Sequence, residues 1–330
     1  MKWIVRIAGS LMAVALLTLL AGAAYEHRAR LRVAAQYPPA GKRVDIGGRR
    51  MQLDCRGRGT PVVVFEAGRD LRGSLSWYRV HDRVAAFTRA CAYSRAGILW
   101  SDSKDPPNTA KRAAQDLHRL LHAAGEQGPF VLAGHSAGGL GILVYTKYFP
   151  AEVSGLVFVD ASHPQEFQRL AAVPGLRRPE IRTWDRFARA FAWAGSIRLQ
   201  PEPPPFDRSE AARIVNAYGP YSYVSATREV ESDDEWFAEA ATVHDLGSRP
   251  VYVLSGMKPS AQRLGLTAAQ EKIRLEWWRQ MQNELAALST VSRHYEDVNS
   301  DHYVQNGDPD QVVAAVRWTV DKVRAATTRQ

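Results

Sequence analysis

Four short runs, "PVVVFEAG" (61–68), "PFVLAG" (129–134), "VSGLVFVD" (153–160) and "RPVYVLSG" (249–256), carry apolar side chains at successive positions instead of alternate ones. A strand written this way has no face to give to water, so it belongs in a sheet covered on both sides. Helical patterns separate the runs: from Asn108 to Gly125 with Leu117, Leu120 and Leu121 on one face, from Ala137 to Tyr148, and over 267–289. A closing helix is expected from Pro309 to about Arg324, and a further one over 74–89, with Trp77, Val80, Val84 and Phe87 at helical spacing. "VDIGGRRMQLDC" (44–55) reads as a hairpin; "ACAYSRAG" (90–97) and "SRHYEDV" (292–298) read as strands. Strand and helix alternating in this way predict an α/β fold whose sheet is mostly parallel and flanked by helices. From Gln165 to about Asp245 the rhythm breaks into a Trp-, Phe-, Arg- and Pro-rich insert with short helices around Ile181–Trp193 and Asp234–Thr242. One domain over 44–330, with a helical cap insert at about 165–245, is the economical division of the 330 residues.

The net charge of +9 invites a nucleic-acid reading until its location is counted. Residues 1–60 hold eleven Lys/Arg against three acids, so +8 of that charge sits there and the remaining chain is nearly neutral. No basic groove is implied, and nucleic acid is not an expected partner. The basic residues flank "IAGSLMAVALLTLLAGAAY", Ile7 to Tyr25, nineteen residues without a charge. A helix of that length reaches roughly 28 Å, close to the hydrocarbon thickness of a bilayer. Residues 1–25 therefore read as a single-pass membrane anchor, followed by a basic, Pro-containing linker over 26–43 whose charge attracts anionic headgroups. The alternative is a signal peptide cut after Ala21-Gly22-Ala23 and a secreted product, although such signals have apolar cores of about 7–15 residues. No cysteine lies there to carry a lipid.

The 129–134 run leads directly into Gly134-His135-Ser136-Ala137-Gly138 and then a helix. A serine on a tight strand-to-helix turn, with glycines where the chain approaches itself, is the setting of a nucleophile elbow. A glycine-rich connection with a capping serine is the plain alternative. Taken with "EAG" after the third strand, "GHSAGG" makes the chain resemble the α/β-hydrolase superfamily, bacterial members in particular, from about Val44 to the C-terminus. The resemblance implies an eight-stranded, mostly parallel sheet and a chain order of nucleophile, acid, histidine. Ser136 then stands at the nucleophile and His302, in "NSDHYVQNGDPDQV" between the last strand and last helix, at the base. Many relatives carry the acid after the seventh strand, but "SGMKPSAQR" (255–263) has no carboxylate. Asp160, ending the sixth strand where some relatives have it, takes the role; a structural Asp tying down its loop is the alternative. Asp297 and Asp301 lie too near His302 in sequence to be the first choice, and Asp245 is more distant. The oxyanion hole would use the backbone N–H groups of Ala137 and Arg69. Ala67-Gly68 stands where most relatives have His-Gly, and Ser94 where they have Asp.

In the superfamily's sheet order the second and fourth strands are antiparallel neighbours, so Cys55 and Cys91 face each other and a disulfide is expected. That favours an extracytoplasmic domain. Against it, Arg28, Arg30, Arg32, Lys42 and Arg43 outnumber Lys2 and Arg6 around the span, which pulls the domain inward. Serine at 136, where an epoxide hydrolase or dehalogenase of this fold carries Asp, implies acyl transfer with no metal or organic cofactor. The expected activity is cleavage of a small, apolar carboxylic ester or acyl substrate. Amidase, thioesterase and acyltransferase activities use the same machinery, and a non-catalytic binding module is the reading from another class. Aromatics of the insert, among them Trp184, Phe187, Trp193, Tyr221 and Phe237, either line an acyl pocket or form the insert's own core.

Overall fold

The computed structural model describes residues 2–103, 109–176, 178 and 180–328. Its strands are β1 (Lys42–Asp45), β2 (Arg50–Arg56), β3 (Val63–Glu66), β4 (Ala90–Tyr93), β5 (Phe130–His135), β6 (Val153–Val159), β7 (Val251–Gly256) and β8 (Ser292–Asp297). They form one sheet in the order β1-β2-β4-β3-β5-β6-β7-β8. β2 is antiparallel to β1 and β4, and every other pairing is parallel. The helices are α1 (Lys2–Gln36), α2 (His81–Ala85), α3 (Ala110–Ala123), α4 (Gly138–Tyr148), α5 (Glu166–Leu170), α6 (Thr183–Ala190), α7 (Glu210–Glu231), α8 (Asp233–Ala240), α9 (Ala261–Leu264), α10 (Ala268–Ala287), α11 (Val304–Gly307) and α12 (Pro309–Thr327). The expected start of α3 at Asn108 lies outside the described residues; Thr109 caps it, accepting from the Arg112 N–H.

The uninterrupted apolar runs have a direct explanation. Val63, Phe65, Val131, Ala133, Val157 and Val159 pack into a layer with α2 and α12. Their neighbours Val64, Leu132, Leu156 and Phe158 pack into the opposite layer with α3, α4, α8 and α10. All ten are fully buried, each large one contributing roughly 1.5–3 kcal/mol. This sandwich brings the C-terminal ends of β5, β6 and β7 to one edge, where the loops that follow them meet.

Three expectations are corrected. The helix expected over 74–89 is broken into a 3-10 turn, Gly73–Trp77, and the five-residue α2, because the chain between them bonds at 3-10 spacing, the Tyr78 N–H to the Leu75 carbonyl and the Val80 N–H to the Trp77 carbonyl. The linker expected over 26–43 is helical as far as Gln36, since "EHRARLRVAAQ" lacks a breaker and Glu26 and Ala29 bury against the cap. The insert is dominated by the 22-residue α7, hidden in the sequence by Gly219-Pro220 at its centre. Tertiary contacts outweigh that Pro: Ser222 Oγ accepts the Leu99 N–H at 2.8 Å, and a Cβ on Gly97 would overlap Ser225.

Cys55 and Cys91 are register partners across β2 and β4 and are joined by a disulfide. It closes a loop of 36 residues. Replacing both cysteines with alanine is expected to lower unfolding stability by about 4 kcal/mol through the freed unfolded chain. Urea unfolding without reductant checks this; an unchanged midpoint contradicts it.

Candidate active site

The turn between β5 and α4 puts Ser136 at φ 53°, a left-handed conformation that costs a serine of order 1–3 kcal/mol. The surroundings leave no alternative. The Ser136 N–H donates to the Val159 carbonyl at 3.2 Å, and the Ser136 carbonyl accepts from the N–H groups of Gly139 and Ser162, both at 2.9 Å. A Cβ on Gly134 would overlap the Gly138 backbone, and one on Gly138 would overlap the carbonyls of Glu66 and Ala67. A Cβ on Gly68 would lie 2.9 Å from His135 Nδ1 and 3.0 Å from Ser136 Cβ. The glycines are there so that three backbone segments can converge beneath one hydroxyl.

Ser136 Oγ lies 3.0 Å from His302 Nε2, and His302 Nδ1 lies 2.7 Å from Asp160 Oδ2. The three residues expected from separate parts of the chain form one line of hydrogen bonds. Asp160 is 3% exposed, so its charge needs several partners. Its Oδ1 accepts from the Gly256 N–H and from Trp278 Nε1, both at 2.8 Å, while Oδ2 faces the imidazole. With Nδ1–H directed at the carboxylate, Nε2 is left with a lone pair aimed at the serine, the tautomer that proton abstraction requires. Asp297 and Asp301 hold the loop instead: Asp297 Oδ1 accepts from Asn299 and Ser300 N–H groups, and Asp301 Oδ1 from Tyr303. Asp245 caps a turn at Gly247, away from the site.

Ser136, Ala137, Arg69 and His302 line a cavity of about 780 Å³. Among the described residues neither the Ala137 nor the Arg69 N–H has an intramolecular acceptor. The Arg69 side chain pairs with Asp233 of the cap and points Nε and Nη2 at no partner. Burial pulls its guanidinium below the usual value, against the pull of Asp233. Arg95 braces the loop from below. Its Nη1 donates to Glu66 Oε1 at 2.5 Å and to the Ala67 carbonyl at 2.7 Å, and its Nη2 to the Gly68 carbonyl at 2.8 Å. Two further bonds of 2.9 Å reach Glu229 on α7, so one buried arginine couples cap, β3 and the loop preceding Arg69. Burial lowers the Arg95 pKa, but Glu229 and Glu66 outweigh it and hold the group well above its ordinary value. At the position where relatives carry Asp, Ser94 donates to Gln52 Oε1 at 2.8 Å and accepts from the Ser74 N–H, a neutral tie for the same turn.

Of the insert's aromatics, Phe167 and Phe237 line the cavity. Trp236 is core, Tyr221 and Tyr223 are tied by their hydroxyls to Ser101 and Asp185, and Trp184, Phe187 and Trp193 are about half exposed. Trp278, Arg95 and Gly256 were not foreseen. The doublet Trp277-Trp278 carried a signal, but not which ring turns inward. His135, next to the nucleophile in sequence, lies under the elbow and donates from Nε2 to the His302 carbonyl at 2.8 Å.

The chain matches the family model described as "Alpha/beta hydrolase family" over residues 53–316. It is 24% identical over 311 residues to "Probable transporter efuK" of Hormonema carpetanum, covering 86% of this chain and 43% of that protein's length. "Methylesterase 17" of Arabidopsis thaliana is 34% identical over 107 residues, 32% of this chain and 38% of the relative. The chain thus spans less than half the length of both relatives. Among solved structures, a probable hydrolytic enzyme from Pseudomonas aeruginosa superposes with a TM-score of 0.64 at 19% identity, covering 86% of this chain and 95% of that one.

Burial, with the neighbouring His302 second, holds His135 well below the ordinary histidine value; burial also lowers His81 and His294 and takes His163 to about 4. Their folded pKa values lie below the unfolded value near 6.5, so the folded state binds fewer protons. The stability they contribute is full above about pH 6.5 and is lost below it, by up to about 1.4 kcal/mol per pH unit for each. His135→Gln keeps a donor for the His302 carbonyl without the titration. Its urea midpoint is expected to fall less steeply than wild type from pH 6.5 to 5; parallel slopes contradict this.

Proposed function

The chain belongs to the alpha/beta hydrolase family, and from that membership we propose that it is a serine hydrolase that cleaves carboxylic esters through an acyl-enzyme on Ser136. The observation that carries the reading is the continuous line from Ser136 Oγ through His302 to Asp160, at 3.0 and 2.7 Å. His302 Nε2 takes the hydroxyl proton as Oγ attacks the ester carbonyl. Asp160 keeps the imidazole in its productive tautomer and stabilises the imidazolium. The Ala137 and Arg69 N–H groups receive the oxyanion. The imidazolium then protonates the departing alcohol, and a water activated by the same His302 releases the acid.

Serine, in place of an attacking carboxylate, supports acyl transfer over epoxide opening. The match to a methylesterase supports esters over the amides, thioesters and acyl acceptors that the same acyl-enzyme serves. The cavity mixes Phe167, Leu170 and Phe237 with the cationic Arg69 and Lys258, which suits an apolar acyl group attached to a polar end.

The proposal includes a location. The apolar helix stays attached as a single-pass anchor, and the disulfide supports a domain outside the cytoplasm. Retention is supported by Gly22, which lies within the alternative cleavage region yet packs against the Ala194 carbonyl. Secretion after cleavage is the alternative.

Hydrolysis of p-nitrophenyl esters of short and medium chain length, beside the matching amides and thioesters, tests the reading. Ser136→Ala and His302→Gln are expected to lower kcat/KM by about ten-thousandfold or more. Trp278→Phe, which removes one donor from Asp160, is expected to cost roughly ten- to a hundredfold in kcat with the ester KM little changed. Amide or thioester turnover without ester turnover moves the assignment within the acyl-enzyme class. A folded protein that turns over none of them contradicts it.

A further inference from the structure

We infer that α6 and the turns that follow it form a second membrane contact, an aromatic face of the cap lying in the lipid headgroup layer beside α1. The inference rests on α1 being a retained anchor. Residues 2–18 of α1 are exposed along their whole length. The uncharged run from Ile7 to Tyr25, which starts just past Lys2 and Arg6, reaches about 28 Å, near the thickness of the hydrocarbon core. The body meets the helix in the last turn of that run. A Cβ on Gly22 would overlap the Ala194 carbonyl, and Gly195 lies beside Gly22 and Tyr25. One turn further on, Glu26 is 3% exposed and pairs with Arg30 at 2.6 Å and with Arg198 of the cap at 2.5 Å.

That register sets a depth. A carboxylate and two guanidinium groups belong outside the hydrocarbon, as Lys2 and Arg6 do at its other side, whereas Ile7 to Thr18 belong within it. The turn Ala192–Ala194, touching α1 between these limits, therefore sits at the membrane surface. Trp193 in that turn is 52% exposed, and Leu199 just beyond it is 82% exposed. On α6, Trp184 and Phe187 are 50% and 51% exposed, and their rings continue toward the turn through Phe191, with centroids 5.5 and 4.8 Å apart. A row of half-exposed aromatics is costly in water and suited to the interface, where Trp is enriched. The cationic neighbours fit as well. The Arg182 and Arg186 side chains, on or next to α6, are 78% and 67% exposed; each turns Nε to a carboxylate, Asp185 at 3.3 Å and Glu231 at 3.8 Å, and a guanidinium has further donors for a lipid phosphate. A second copy of the chain would have to dock where lipid already surrounds α1, so the bilayer is the occupant assigned.

The full chain is placed in vesicles of phosphatidylcholine and phosphatidylglycerol with an environment-sensitive NBD label on one introduced cysteine, Leu199→Cys or Asp321→Cys. The two natural cysteines are joined to each other and do not compete for the label. Asp321 lies on α12 next to Arg324, which bonds the Thr60 carbonyl ahead of β3, at the opposite end of the sheet from Ser136. The label at 199 is expected to emit at shorter wavelength and to be quenched by spin-labelled lipid, and the label at 321 to remain solvent-like. Protein that floats with the vesicles while both labels stay solvent-like overturns the cap contact and leaves the anchor standing. Protein that does not float overturns the anchor, and the inference with it.

Discussion

Everything at the candidate site depends on one strained residue. Ser136 is held at φ 53° by a network of backbone hydrogen bonds and by close packing that admits only hydrogen at positions 68, 134 and 138. The strain is sustained because the turn is anchored by two strands fully buried on both faces, so relaxing it would mean opening the best-packed part of the protein. The consequence is a hydroxyl raised clear of its own strand, in reach of groups arriving from elsewhere in the chain.

Those groups are themselves positioned by the sheet. Asp160 follows β6 at φ 42°, Gly256 ends β7, and the loop after β8 brings His302 between Asp160 and the serine. The cap takes part through the buried Arg95, whose donors are divided among Glu66, the carbonyls of Ala67 and Gly68, and Glu229 on α7. A displacement of α7 would change the ion pairing of the arginine that braces the loop preceding Arg69. This gives the cap a structural line to the chemistry in addition to its role as a wall of the cavity.

How much of this was legible in the sequence follows from the range of each interaction. Strands buried on both faces announce themselves through unbroken apolar runs, and the glycine-flanked serine announces a turn; both signals are local. His302 and Asp160 could be ranked by their positions at strand ends once the resemblance supplied a chain order, and Cys55 and Cys91 by the strand order it implied. What escaped was set by tertiary contact. α7 runs through Gly219-Pro220 because Ser222, Ser225 and Glu229 meet the body there. The N-terminal helix α1 runs on to Gln36 because Glu26 and Ala29 are buried against the body. Trp278 and Arg95 become site residues only through partners more than 25 positions away.

The central claim is that this elbow presents an activated serine. It is tested most directly by treating the folded protein with a fluorophosphonate and mapping the adduct by peptide mass spectrometry. The account predicts a single phosphonylated residue, Ser136, with labelling slowed sharply when His302 is replaced. A folded protein that remains unlabelled, or one labelled elsewhere with Ser136 untouched, would contradict it.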